Sequence, residues 1–143
     1  MARPKSYRDL IVWQKSMALA RHVYTLTESL PKREAYGLAD QIRRAAVSVA
    51  SNIAEGHGRL SDGQFRQFLG NARGSLYEMQ TRVELATDLS YIDKEDGRQV
   101  MEQATEVARI LNGLLKSLRS GAATSTDSGG NSASTANSAN SAI

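Results

Sequence analysis

Cysteine is absent from the chain, so neither a disulfide nor a thiolate metal site is open to it. Histidine occurs only at His22 and His57, on separate segments, and no acid falls at metal-ligand spacing from either. No Ser–His–Asp or Cys–His arrangement can be argued from the spacing, so no catalytic residue, metal or cofactor is expected and the chain does not read as an enzyme. No apolar run approaches the roughly 20 residues that span a bilayer. Met1–Leu10 is short and polar and lacks the core of a signal peptide. Together these absences point to a soluble cytoplasmic protein with no membrane partner. Nothing alternates with period two, so no strand is expected.

One further absence is local. From Ala45 to Ala54 there is no charged residue, and alanine, serine and valine occupy every side of almost three helical turns. A helix that is small or apolar all round is buried all round. A chain of 143 residues is one domain by size and can hardly surround such a helix alone. Part of the cover is therefore expected from another copy, which points to an assembling scaffold or binding protein.

The C-terminal segment lacks the means to fold. Residues 120–143 are almost entirely Ser, Ala, Thr, Asn and Gly, with Asp127 the one acid and Ile143 the one large apolar residue. Such a segment buries too little to offset its ordering entropy, so a folded domain over 1–119 and a disordered tail over 120–143 are expected. All 18 Lys and Arg precede residue 120, against 14 of the 15 acids, which leaves the folded part at +4. That balance permits a polyanionic partner without requiring one.

Within 1–119 the hydrophobic period is helical throughout. The first helix is expected from Ser6, as N-cap, to about Ser29. One apolar stripe is Leu10, Trp13, Met17, Ala20 and Tyr24, and a second is Val12, Leu19, Val23, Leu26 and Leu30. Pro31 ends it, because the residue before proline is pushed out of the α region. A second helix is expected over about Arg33–Glu55, with Leu38, Ile42, Ala45, Val49 and Ile53 as its core face. Beside that face runs a polar stripe that includes Ser48, Asn52 and Glu55, and Gly56 and Gly58 should end the helix in a left-handed turn. The third should open on the capping box Ser61–Gln64 and run to about Asp88, with Phe65, Phe68, Ala72, Leu76, Met79, Val83 and Ala86 inward. Gly70 and Gly74 lie on another side, where they would let a neighbouring backbone approach. The fourth should start at Asp93 and reach about Leu118, with a seam at Val100, Ala104, Val107, Leu111, Leu114 and Leu118. Four such helices with short connections make an all-α, antiparallel up-down-up-down four-helix bundle.

Several groups invite a functional reading beside a plainer one. Gly56-His57-Gly58-Arg59 ahead of a helix N-terminus has the look of a phosphate cradle, but Glu55 would repel an anion and a two-glycine helix stop explains the same residues. Glu55, Arg59, Arg73 and Glu78 flank the same turn. With no nucleophile beside them they are better read as a structural ion network, with Glu55 paired to Arg73 across the second and third helices. Arg43, Arg44, Arg59 and Arg66 are the cations nearest the assembling region, and Arg3, Lys5 and Arg8 form a mobile arm. These are the candidate nucleic-acid contacts, set against solvated charge that keeps an oligomer soluble. Trp13, Tyr24 and Tyr77 sit at packing positions, so base stacking on them is not expected. Ser48, Asn52, Glu55, Gly70, Arg73, Gly74 and Glu78 are the candidate interface residues.

The stretches DLIVWQKSM (9–17), TESLPKREAYGL (27–38), SVASNIAEGHGR (48–59) and FLGNARGSLYEMQT (68–81) carry a resemblance. Over residues 7–118 the chain resembles the bacterial four-helix-bundle proteins encoded within intervening sequences of 23S rRNA genes. A relative in that family is the accessory variability protein of diversity-generating retroelements. The resemblance implies a homo-oligomer, with a pentamer from that relative, a basic surface for RNA or DNA, and a reverse transcriptase as a partner. It implies no enzymatic activity. The chain departs from the pattern at Ala50, His57 and Gly70-Asn71, which bears on oligomer number. The reading that follows is a non-enzymatic oligomeric scaffold for nucleic acid or a nucleoprotein. A structural or protein-interaction module with no nucleic-acid role is the alternative.

Overall fold

Residues 3–125 are described in the computed structural model of the protein, with side chains described up to Arg119. The four helices are α1 (Ile11–Leu26), α2 (Leu38–His57), α3 (Asp62–Asp88) and α4 (Lys94–Ser125). No strand occurs among the described residues. The neighbours run antiparallel, as their paired residues show. Pro4 meets His57 and Thr27 meets Arg43 between the first segment and α2. Ser48 meets Ser75 between α2 and α3, Arg73 meets Asn112 between α3 and α4, and His22 meets Gln103 between α4 and α1. Each helix packs on the next and α4 closes back on α1, giving an all-α four-helix bundle consistent with the expected up-down-up-down order.

The core is the inner stripe of each helix. Val12, Leu19, Val23 and Leu26 come from α1, Ile42, Ala45, Val49 and Ile53 from α2, Leu69, Leu76, Met79 and Val83 from α3, and Val100, Val107, Leu111 and Leu115 from α4. A fully buried side chain of this size is worth about 1.5–3 kcal/mol relative to an exposed one. The second stripe of α1 is thus the core face; of the first, Ala20 is buried and Leu10 and Trp13 pack against the core, while Met17 is half-buried and Tyr24 exposed. On α3, Leu69 takes the inward place expected of Phe68, which is half-buried at the α2 seam.

The helix ends depart from the expected boundaries for local reasons. Ser6 does cap a turn, with its Oγ accepting from the Arg8 N–H, but that turn is a 3₁₀ segment (Tyr7–Asp9) and α1 begins only at Ile11. Two more 3₁₀ turns, Thr27–Ser29 and Lys32–Glu34, flank Pro31 and delay α2 to Leu38. Ser61 Oγ accepts from the Gln64 N–H as the capping box requires, and Asp93 Oδ2 accepts from the Glu95 N–H. α4 continues past Leu118 to Ser125, with no proline to stop it. The expected tail from residue 126 onward lies outside the described residues.

Two glycines do something other than turn the chain. Gly58 caps α2 in the ordinary right-handed region, so the left-handed stop expected at Gly56 and Gly58 does not occur. The left-handed residue is Ser90 (φ 63°), at the end of α3. There the Tyr91 N–H reaches Ala86 O at 2.9 Å and the Ser90 N–H reaches Thr87 O at 3.0 Å, the paired bonds of a Schellman stop. Gly56 is instead a packing glycine. A Cβ placed on it would lie 2.6 Å from Phe68 Cβ and 3.1 Å from Phe65 Cδ1. Gly70 and Gly74 are the opposite case, with nothing within 4 Å of the position a Cβ would take.

Gly56→Ala should therefore destabilise the fold by about 1–3 kcal/mol in urea denaturation, since a rigid neighbour must move. Gly70→Ala and Gly74→Ala should each stabilise an isolated chain by up to about 1 kcal/mol, the usual penalty of a mid-helix glycine. A loss at either of the latter would mean that another backbone occupies that open edge.

Candidate binding surfaces

The first surface follows from a mismatch in side-chain size between α1 and α2. Trp13, Met17 and Tyr24 stand along α1, while α2 presents Val47, Ala50, Ser51 and Ala54 opposite them. Tall residues facing short ones leave a groove of about 620 Å³, with Arg21 as the charged residue on its lining. Tyr7 closes one end, its ring meeting Trp13 edge-on at 5.1 Å between centroids. The uncharged run of α2 is thus covered by this chain on its inner side only. Val49 is fully buried and Ala50 nearly so, but Val47 remains 43% exposed and Ser51 is open.

The candidate arginines do not gather into one patch. Arg43 is a clip between α2 and α1. Its Nε donates to Thr27 Oγ1 at 2.7 Å, its Nη2 reaches Tyr24 O at 3.4 Å, and its guanidinium lies 4.9 Å over the Tyr24 ring. Thr27 is buried, and its own hydroxyl donates to Val23 O at 2.8 Å. Arg44, on the outer face, pairs with Asp40 at 2.8 Å. Arg59 lies at the other end of α2, paired with Glu55 at 3.1 Å and stacked 4.7 Å over Phe68. Arg66 is on α3, half-buried, its Nε covered and without an acceptor among the described residues.

The ion network expected around the α2–α3 turn does not form as one unit. Glu55 is more than half exposed and pairs with Arg59 on its own helix. Arg73 turns the other way, toward α4, where its Nη1 donates to Asn112 Oδ1 at 2.9 Å. Glu78 pairs with Arg82 one turn along. The reason is angular: Ser75 marks the side of α3 that faces α2, and Arg73 lies well round the helix from it. Ser48 and Asn52 are spent inside the chain, Ser48 Oγ sharing a hydrogen bond with Ser75 Oγ at 2.8 Å and Asn52 Nδ2 donating to Ser48 O at 2.8 Å.

The N-terminal residues are a strap and not a free arm. The Arg3 guanidinium sits 4.5 Å over the Phe65 ring, donates to Arg59 O and pairs with the Asp62 carboxylate. The His57 Nε2–H donates to Pro4 O at 2.7 Å. Gly56-His57-Gly58-Arg59 is therefore engaged by the chain itself. Tyr24 and Tyr77, expected at packing positions, are each 46% exposed. No group of three or more His, Asp or Glu side chains with metal-binding geometry occurs among the described residues. Hydrogen bonding from Arg98, then its charge, holds the Glu95 carboxyl below its ordinary range, on an exposed face of α4 away from either surface. No helix is long and apolar enough to cross a membrane among the described residues.

The sequence profile described as 23S rRNA-intervening sequence protein matches residues 8–113. Among solved structures, the chain is similar to a 1.70 Å crystal structure of a protein of unknown function from the S23 ribosomal protein family of Bacteroides thetaiotaomicron. The TM-score is 0.70 and the identity 25%, over 74% of this chain and 99% of that one. None of the curated proteins matches the sequence.

Arg43→Ala should cost about 1.5–3 kcal/mol of stability, the range for a hydrogen bond from a charged donor, because it removes the charged donor to the buried Thr27 oxygen, which keeps only its own bonds to backbone carbonyls. Arg44→Ala and Glu55→Ala, which break exposed pairs, should each stay within about 1 kcal/mol. Thermal and urea unfolding of the three variants checks this ranking.

Proposed function

The chain belongs to the 23S rRNA-intervening sequence protein family, and we propose that it works as a non-enzymatic, cytoplasmic, homo-oligomeric scaffold that holds nucleic acid or a nucleoprotein. The groove between α1 and α2 is the observation that carries this reading. It is apolar, open, and lined by the uncharged run that one chain leaves half-covered. The occupant is a second copy. The same chain offers a matching edge on α3, where Gly74 lies open and Leu85 and Leu89 are exposed. A groove on one side and an edge on another make a heterologous contact, which closes into a ring when the rotation permits. A pentamer is the number implied by the retroelement accessory proteins that this chain resembles, and a reverse transcriptase is the partner implied with it.

The nucleic-acid half of the proposal rests on charge. The +4 of residues 1–119 is modest for one chain, and assembly multiplies it. Binding of this kind runs through phosphates and carries little sequence preference. A structural or protein-interaction module is the second reading. The groove favours it too, since an amphipathic helix of another protein is a fitting guest.

Size exclusion with light scattering should give a mass several times the 15.5 kDa of one chain. Val47→Glu, which puts a charge into the groove from an already exposed position, should reduce that mass without unfolding the bundle. A strict monomer at micromolar concentration overturns the assembly. Fluorescence anisotropy with labelled structured RNA and duplex DNA should show binding that collapses between about 50 and 200 mM salt, the mark of counterion release. Absence of binding at the low end leaves the interaction module as the reading.

A further inference from the structure

Acids are missing from two stretches that fold against each other. None occurs from Gly63 to Tyr77 on α3, and none from Val107 to Arg119 on α4. The Arg73–Asn112 hydrogen bond fixes the register of these antiparallel helices. Seven residues before Arg73 is Arg66, and seven beyond Asn112 is Arg119, so the two arginines lie at one level on the same seam. Lys116 stands between, one turn from Asn112. Four cations thus line about 10 Å of the α3–α4 face, taking 1.5 Å of rise per residue. Asp62, one turn below Arg66, is the nearest acid along α3, and its carboxylate is already paired with Arg3.

Several cations elsewhere are held in ion pairs at helical spacing or across helices: Lys15 with Glu106, Arg44 with Asp40, Arg59 with Glu55, Arg82 with Glu78, Arg98 with Glu95 and Glu102. Among the described residues Arg66, Arg73 and Arg119 have no ion pair, and Arg66 Nε has no acceptor. Like charges gathered along one seam repel, and an anion laid along them removes that cost. The intervening positions, Gly70, Asn112 and Gly113, are small or polar. None of the exposed large aliphatic side chains lies on these two stretches. Tyr77, one turn past Arg73 and exposed, adds a hydroxyl and a ring at the upper margin.

We propose that the lower α3–α4 face, formed by Arg66, Arg73, Lys116 and Arg119, is the surface on which this chain holds a nucleic-acid strand through its phosphates. The inference rests on the nucleic-acid reading above and moves the contact away from Arg43, Arg44 and Arg59, which the chain uses for itself. Arginine forks suit phosphate oxygens, and a row along a helix seam suits a strand and not an isolated ion.

The test uses the full-length chain with a labelled RNA hairpin at low salt. The triple variant R66Q/R73Q/R119Q should weaken binding about ten-fold or more and lower the salt slope by about two to three, as loss of roughly three phosphate contacts requires. K116Q/R119Q, at exposed positions, should weaken it in the same direction with the fold intact by circular dichroism, which guards against a folding defect at half-buried Arg66. R44Q/R59Q and R98Q should stay within about two-fold, since none of these side chains lies on the proposed phosphate track. Loss of binding in R44Q/R59Q with the α3–α4 variants unaffected overturns this inference and leaves the nucleic-acid reading standing. A change in oligomer mass without a change in binding makes the face a contact between copies and overturns it as well. No binding by the unmodified chain sinks the nucleic-acid reading itself.

Discussion

The closeness of α2 and α3 at Gly56 is the constraint on which the rest of the bundle is arranged. There is no room for a methyl between that backbone and the two phenylalanines of α3. The seam continues upward through Ile53, Val49, Ala45 and the shared hydroxyls of Ser48 and Ser75. A helix must carry small residues to come this close to a neighbour, and α2 carries them on every side. On the α3 side they are filled by phenylalanine and leucine. On the α1 side they are not, because Trp13, Met17 and Tyr24 flank the short residues instead of seating on them. One compositional choice thus yields both a close helix–helix contact and an open apolar groove.

The arginines divide along the same lines. Arg43, Arg59 and Arg3 each lay a guanidinium over an aromatic ring and bond a backbone or side-chain partner, so they act as fasteners at the ends of the bundle. Such cation–π contacts are worth about 0.5–1 kcal/mol where exposed, more where water is excluded. The outer faces of α2 and α4 hold arginine in exposed i,i+3 and i,i+4 pairs that contribute little to stability and serve solubility. On the seam between α3 and α4, Arg73 bonds Asn112, and Arg66, Arg73 and Arg119 have no ion pair among the described residues. Position along the sequence gives no hint of this division, because it depends on which ring or carboxylate the fold brings within reach.

The architecture was legible because it rests on periodicity. Val12, Leu19 and Val23, or Ile42, Val49 and Ile53, mark an inner face before any coordinates exist, and Ser61 and Asp93 mark two helix starts by their side-chain chemistry. Apart from the helix ends, the failures are contacts between elements. Glu55 on α2 and Arg73 on α3 are close in the sense of helix order, but Arg73 lies on a side of α3 turned toward α4, and a one-dimensional reading has no measure of that angle. Gly56 looked like a turn residue because a glycine near a helix end is usually one, whereas here it answers to Phe65 and Phe68 on the next helix. The N-terminal cations looked free because nothing nearby in sequence opposes them, yet Asp62 and the Phe65 ring do so from far along the chain. The acid-free stretches on α3 and α4 were visible as composition. Only the register set by Arg73 and Asn112 turns them into one face.

The two surfaces are related in a way that bears on how such a protein would be controlled. A row of four cations on one chain is a weak site, and salt screens what lies beyond about 10 Å at ordinary ionic strength. In the proposed assembly each copy adds the same row at a fixed angle, so binding at one raises the effective concentration at the next. Avidity of this kind exceeds the single-site affinity by orders of magnitude when the geometry lets several sites engage together. The apolar groove then governs the polar face without touching it: what fills the groove sets how many rows act at once. That dependence runs in both directions, because a ligand that binds the assembled form more tightly stabilises the assembly by the same free energy. A strand long enough to reach several copies would therefore favour the closed form, whereas a short one would not.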